Sequence, residues 1–235
     1  MILESIPHFE EPKQTTEIEY INSHFVKIEE RDGIFLEMKY PKMGMQYAEE
    51  DCLLRKEAYE SLLLAQRKLP KGYHLKIWDA WRPFLLQNEL YETYYSQIVK
   101  TFGIENLSEE EKVAVVRKYV SVPVKSTYEY PVHTSGGAID VTLVDCDGKE
   151  LDMGTGFDEM VPAAQTNFFE DKGCEEIKAN RRILYNTMIS AGFTNLPSEW
   201  WHYDFGDRNR AFYKDKSVIY DAVYTKEGVR FEKKE

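Results

Sequence analysis

The sequence is poor in cysteine, has no excess of cationic residues and contains no long apolar run. Each shortage excludes something. Its three cysteines, Cys52, Cys146 and Cys174, are scattered without a CxxC spacing, which argues against a disulfide scaffold and suits a reducing compartment. Acidic residues outnumber basic ones, 41 against 30, for a formal net charge of −11. Nucleic-acid binding needs a concentrated cationic surface, as does a polybasic membrane contact, so no nucleic-acid and no membrane partner is expected. The charge reads as solubility. No stretch approaches the length of a membrane span. Met1 to Glu11 carries no basic segment followed by an apolar run, so no secretory leader is expected and the chain reads as cytoplasmic. There is no internal repeat or low-complexity linker, and no exposed heptad or cationic face implies a protein partner.

What remains is a globular composition. Hydrophobic residues make up 43% of 235 positions, enough for one sizeable domain with a substantial core. The expected unit is a single domain over residues 1–235, with 1–16 as an N-terminal extension. Loose alternation from Glu17 to Met38 suggests one or two strands around an Asp32-Gly33 turn. Leu54, Ala58, Leu62, Ala65 and Leu69 share one helical face, which Pro70 and Gly72 terminate. A strand follows over His74 to Ala80, and Pro83 opens a second helix carrying Leu86, Leu90 and Tyr94. Ser108 and Glu111 form a capping-box pattern for a helix to about Val120. Ala138 to Val144 reads as a strand with a turn at Asp147-Gly148. Ile177 to Ala191 reads as a helix closed by Gly192, and Trp200 to Phe205 as a buried strand. Helical and alternating segments interleave without regular βαβ spacing, which favours α+β.

Five histidines occur. His8 and His24 lie in weakly patterned sequence, and His74 opens a strand. His133 and His202 stand apart because of their neighbours. His133 precedes Gly136-Gly137, where the backbone can turn sharply, and then a strand carrying Asp140 among Ile139, Val141 and Leu143. A carboxylate in such a strand is costly unless it is paired or binds a cation; the alternative is an aspartate at a turn or an exposed position. His202 closes Glu199-Trp200-Trp201-His202. Three residues of separation align Glu199 with His202 on a helical turn but oppose them on a straight strand. A shared site therefore requires a bend near Pro197-Ser198-Glu199; otherwise the tryptophans are core and Glu199 is exposed. Two imidazoles and one carboxylate match the ligand count of an open catalytic zinc site, and a nearby Glu199 could serve as general base. The HExxH helix of many zinc peptidases is absent. Arg82, ending a strand in Asp79-Ala80-Trp81-Arg82-Pro83, could stabilise an oxyanion or form a salt bridge to Asp79. Asp158, after Met153-Gly154-Thr155-Gly156-Phe157, could receive an ammonium or cap a helix.

Four motifs in order carry a resemblance. These are Ile77-Trp78-Asp79-Ala80-Trp81-Arg82-Pro83, His133-x-x-Gly136-x-Ala138-x-Asp140, Met153-Gly154-Thr155-x-Phe157-Asp158 and Glu199-Trp200-Trp201-His202. From about Tyr40 to Asp207 the chain resembles the D-alanyl-D-alanine dipeptidases, the vancomycin-resistance-type zinc peptidases of the D-Ala-D-Ala carboxypeptidase clan. The resemblance implies a central, mainly antiparallel sheet flanked by helices, the D-Ala-D-Ala metallopeptidase or Hedgehog-like fold. It implies one zinc ion per chain on His133, Asp140 and His202, Glu199 as catalytic base and then acid, and Arg82 as the stabiliser of the tetrahedral intermediate. Asp158 matches the aspartate that receives the substrate's free amino group, and Tyr40 aligns with a tyrosine lining that end. The implied reaction is hydrolysis of D-Ala-D-Ala or a closely related free dipeptide, the only partner implied. Other readings are a peptidoglycan D,D- or L,D-carboxypeptidase of the same clan and a metal-binding domain without turnover. Pro131 and Thr134-Ser135 depart from residues that some members carry around the metal histidine. The segment from about Thr101 to Tyr130 is divergent.

Overall fold

The computed structural model describes residues 3–8, 17–30, 33–117, 119–126, 129–214 and 217–232. In chain order these form β1 (Phe25–Lys27), β2 (Phe35–Leu36), α1 (Lys39–Lys42), β3 (Leu53–Arg55), α2 (Lys56–Lys68), β4 (His74–Asp79), α3 (Phe84–Thr101), α4 (Glu109–Val116), β5 (Ala138–Val144), α5 (Glu175–Ser190), β6 (Thr194–Asn195), β7 (His202–Asp204) and α6 (Arg208–Lys214). A five-stranded sheet has the order β2-β4-β5-β7-β6, and β1 pairs with β3 in a separate ribbon. The β2–β4 pairing is parallel, and the other three in the larger sheet are antiparallel. The fold is α+β, with a mixed, mainly antiparallel sheet flanked by helices.

The centre of the sheet follows from period-two patterning. Ile139, Val141 and Leu143 on β5 share a face with Leu75 and Ile77 of β4, which lie opposite Leu143 and Val141. That face packs in the main core against Leu62 and Ala65 of α2 and Ile183, Leu184 and Met188 of α5. Alternate residues point the other way, and on β5 these are Ala138, Asp140 and Thr142. A second apolar cluster joins Leu86, Leu90, Tyr94 and Ile98 of α3 to Tyr40 and Val116. The capping box forms as expected: Ser108 accepts from the Glu111 backbone N–H while the Glu111 side chain accepts from Ser108.

Several expectations shift in detail. Leu54 is buried, but in β3 rather than on the helix, which starts after Arg55. The strand pairing with β1 takes Leu54 first, so its spacing to Ala58 only mimics a helical face. The helix after Ser108 ends at Val116 instead of Val120. The strand expected over Trp200 to Phe205 is confined to His202–Asp204, because both tryptophans lie in the turn before it. Residues 17–38 do contribute two short strands, though Asp32 of the expected turn lies outside the described residues. So does most of the proposed N-terminal extension; of its described part, Ile6 donates its backbone N–H to Glu170.

A 3₁₀ turn, Val132–Ser135, delivers the chain to β5 and closes at Gly136 with φ 75°. A Cβ on Gly136 would strike the Phe25 ring, and one on Gly137 would fall on the Phe205 carbonyl oxygen. Gly137→Ala should therefore force β5 away from the β7 end. The expected loss is about 2 kcal/mol or more, read as a lowered midpoint in urea denaturation monitored by tryptophan fluorescence.

Candidate active site and metal centre

The register of three neighbouring strands assembles the site. Asp140 on β5 lies opposite Asp79 on β4 and opposite His202 on β7. The 3₁₀ turn before β5 brings His133 to the same place. The His202 Nδ1 lies 3.1 Å from Asp140 Oδ1 and 3.2 Å from His133 Nε2, and His133 Nε2 is 3.6 Å from Asp140 Oδ1. All three residues are buried, and one donor atom from each falls within 4.8 Å of the others. This cluster can hold a metal ion.

The imidazoles are oriented for that task. His133 Nδ1 lies 2.7 Å from the Ala80 carbonyl, so it donates there and leaves Nε2 facing the cluster. His202 Nε2 lies 2.9 Å from Asp204 Oδ1, which leaves Nδ1 facing inward. Such outer partners fix the ligand tautomer and raise its basicity. Burial opposes ionisation of Asp140, but His133 and His202 outweigh it and hold the carboxyl well below its usual range. For His202, burial disfavours the charge, yet Asp204 and Asp140 raise its pKa well above the ordinary value. Behind Asp204 lies a second fully buried carboxyl, Asp207. Burial and the Asp204 charge push its pKa well above normal.

The bend that the Glu199–His202 spacing requires is present. The Glu199 N–H donates to the Leu196 carbonyl and the His202 N–H to the Glu199 carbonyl. Asn195 Nδ2 donates to both the Glu199 and His202 carbonyls, closing the turn from behind. Glu199 Oε2 thus comes within 3.9 Å of His202 Nδ1. Burial, with the nearby Asp140 and Asp158 charges, pushes Glu199 up to about 8 although His202 and Arg82 oppose this.

Arg82 joins the other wall. Its Nε and one terminal nitrogen donate to Asp79 Oδ2 at 3.1 and 2.9 Å. The other terminal nitrogen donates to Gln87 Oε1 at 2.7 Å. The salt bridge to Asp79 foreseen from the sequence therefore exists, and it also aims the guanidinium: Arg82 lies 3.9 Å from Asp140 Oδ2 and donates to the Tyr40 hydroxyl. Tyr40 in turn donates to Asp158 Oδ2 at 2.9 Å, and Tyr94 donates to the same oxygen at 2.7 Å. Asp158 has a left-handed backbone, φ 55°, a costly conformation for a residue with a side chain. Burial and the Asp140 charge raise its pKa to about 6, against the two tyrosines and Arg82.

Arg181 of α5 explains how that segment is held. Its buried guanidinium donates to the carbonyls of Met153, Ala163 and Gln165 at 2.8, 2.7 and 2.6 Å, clamping both ends of the loop that carries Asp158. All seven residues singled out in the sequence, Tyr40, Arg82, His133, Asp140, Asp158, Glu199 and His202, line one cavity of about 70 Å³. Sequence reasoning missed Tyr94, Gln87, Arg181 and Asp204. Of these, only Asp204 had a signal: His-x-Asp in a strand puts both side chains on one face.

With this geometry in view, the family follows. The family model described as D-ala-D-ala dipeptidase matches residues 41–223, and the chain belongs to that family. The D-alanyl-D-alanine dipeptidase of Escherichia coli strain K12 is 32% identical over 162 residues, covering 67% of this chain and 69% of its own. That of Synechocystis sp. is 30% identical over 151 residues, covering 58% and 61%. That of Enterococcus faecalis is 32% identical over 150 residues, covering 58% and 64%. The chain thus spans roughly two thirds or less of these relatives. A vancomycin-resistance D,D-pentapeptidase, VanY, solved with Zn(II), is 15% identical with a TM-score of 0.40, covering 82% of this chain and 91% of its own.

The orientation of His202 gives a direct test of the metal centre. Asp204→Asn keeps an acceptor for His202 Nε2 but removes its charge. Affinity for a divalent metal should fall by about 10–100-fold in isothermal titration, with the circular-dichroism spectrum retained.

Proposed function

We propose that the chain is a zinc-dependent dipeptidase acting on D-alanyl-D-alanine or a closely related free dipeptide. The observation that carries this reading is a three-donor cluster with its imidazoles oriented inward, sharing one small cavity with an acid-base candidate, Glu199, 3.9 Å from His202, and a carboxylate set for an ammonium. Two histidines and one carboxylate suit zinc and leave a position open. Held by His133, Asp140 and His202, zinc supplies a Lewis acid and lowers the pKa of a coordinated water.

The remaining work falls to the chain's own side chains. Glu199, beside the donor cluster, takes the proton of the attacking water and returns it to the leaving amine. Its raised pKa belongs to the metal-free site, and a cation close by would lower it toward a value useful at neutral pH. Arg82, held by Asp79 and Gln87, offers a fixed guanidinium to the charge that develops on the scissile carbonyl oxygen. Asp158 receives the substrate ammonium, oriented by Tyr40 and Tyr94. A carboxylate in that setting is poorly served by a substrate lacking the ammonium, which favours free dipeptides over N-acylated peptides.

Metal-loaded protein should bind one zinc per chain and release D-alanine from D-Ala-D-Ala. Glu199→Ala should retain the metal and lose a hundredfold or more in kcat, on the scale of general acid–base catalysis. Failure of metal-loaded wild type to cleave any free dipeptide would sink the assignment. A second expectation concerns pH. Asp158 is ionised above its pKa of about 6, and a bound cation beside Asp140 shifts that midpoint downward by relieving repulsion. KM should rise as pH falls through a midpoint at or below about 6, and Asp158→Asn should raise KM above that midpoint, where the wild type is ionised, and abolish the inflection.

A further inference from the structure

The site cavity does not stand alone. A larger cavity of about 280 Å³ adjoins it and shares Tyr119, Asp158, Met160 and Glu199 with it. Its remaining walls include Val161, Pro162, Ala164 and Trp201. They come from two pieces of chain already shown to be fixed: the Arg181-clamped loop and the turn closed by Asn195. Trp200 donates its backbone N–H to the Ala164 carbonyl at 3.0 Å, which ties the two pieces together. The space between them is therefore a built feature of the fold.

Its position relative to the reacting groups identifies the occupant. In the dipeptidase reading, on which this inference rests, the ammonium lies at Asp158 and the scissile carbonyl lies beside Glu199. The one carbon between those groups is the α-carbon of the amino-terminal residue. The larger cavity touches both Asp158 and Glu199, so a substituent on that carbon faces it. A methyl group is close in size to a water, whose share of liquid volume is ~30 Å³, so an alanine side chain would leave most of the space unfilled. We propose that this cavity is the side-chain pocket for the amino-terminal residue of the dipeptide, and that preferred substrates carry there an apolar side chain larger than methyl. Glu159 also lines the cavity, but it is solvent-exposed and needs no cationic partner from the substrate.

The test is a substrate series with the metal-loaded full chain. Free dipeptides ending in D-alanine are compared with D-Ala, D-Val, D-Leu, D-Phe or D-Lys in first place, alongside the reversed series beginning with D-alanine. Each methylene entering an apolar pocket is worth roughly tenfold or more in discrimination. kcat/KM should therefore rise at least tenfold from D-Ala-D-Ala to D-Leu-D-Ala, with no matching rise in the reversed series. Ala164→Leu and Val161→Trp should each lower the D-Leu to D-Ala ratio by tenfold or more. Ala164 is buried and its substitution could disturb folding, whereas Val161 is 44% exposed and accepts a larger side chain without repacking. Cleavage of D-Ala-D-Ala with no gain from larger first residues would overturn the pocket and leave the dipeptidase reading standing. So would a preference for D-Lys, or a gain confined to the reversed series. If no dipeptide is cleaved, the dipeptidase reading itself fails and takes this inference with it.

Discussion

The site depends on the register of β5 between its two neighbours. Asp79, Asp140 and His202 form a cross-strand row in the middle of the sheet. A slip of one residue would turn Asp140 into the apolar core and Ile139 toward the site. That slip is opposed from the other face, where Ile139, Val141 and Leu143 are completely buried with α2 and α5 beneath them. The apolar face thus fixes where the polar face points. Packing energy that has nothing to do with metal or substrate sets the geometry of the donor cluster.

This arrangement concentrates buried charge, and several of those charges have a neighbour that makes them tolerable. Asp79 is covered by Arg82, Arg82 by Gln87 and Tyr40, and His202 by Asp204. A carboxylate or guanidinium removed from water is expensive unless hydrogen-bonded and paired. The network supplies that pairing and also locks each side chain in one orientation. The same economy holds the loop bearing Asp158. Arg181 binds backbone carbonyls rather than an acid, and burial lowers its pKa to about 10, still far above neutrality, so the clamp stays charged.

Much of this was legible in the sequence because it rests on short-range pattern. The alternation around Asp140, the capping box at Ser108 and the proline before Phe84 each mark an element from within its own residues. Glu199 and His202 posed a specific requirement, a bend before the strand, and the Leu196–Glu199–His202 turn meets it. What escaped was long-range. Tyr94 sits 64 residues from Asp158, and nothing local to α3 distinguishes its hydroxyl from that of any other buried tyrosine. Arg181 reads as an ordinary helix residue until the loop it holds is in place. Leu54 was misassigned for a related reason, since a strand pairing formed with β1 overrode a helical spacing that the sequence alone could not reject.

The same network explains why this site should gain so much from its ligands. Asp158 has a folded pKa of about 6 against an ordinary 3.8. Its effect on stability is therefore absent below the ordinary value, grows as pH rises through that window, and is fully destabilising above about 6. Glu199 behaves alike, with the window reaching about 8. Near neutrality the unliganded fold thus carries two carboxyls that burial disfavours and a left-handed aspartate backbone. It is held in this state by packing and by the Arg181 clamp. A cation held by the donor cluster would relieve part of that electrostatic cost, so its binding and fold stability would rise together. The core thus bears a strained backbone at Asp158, and that strain holds the carboxylate in one orientation.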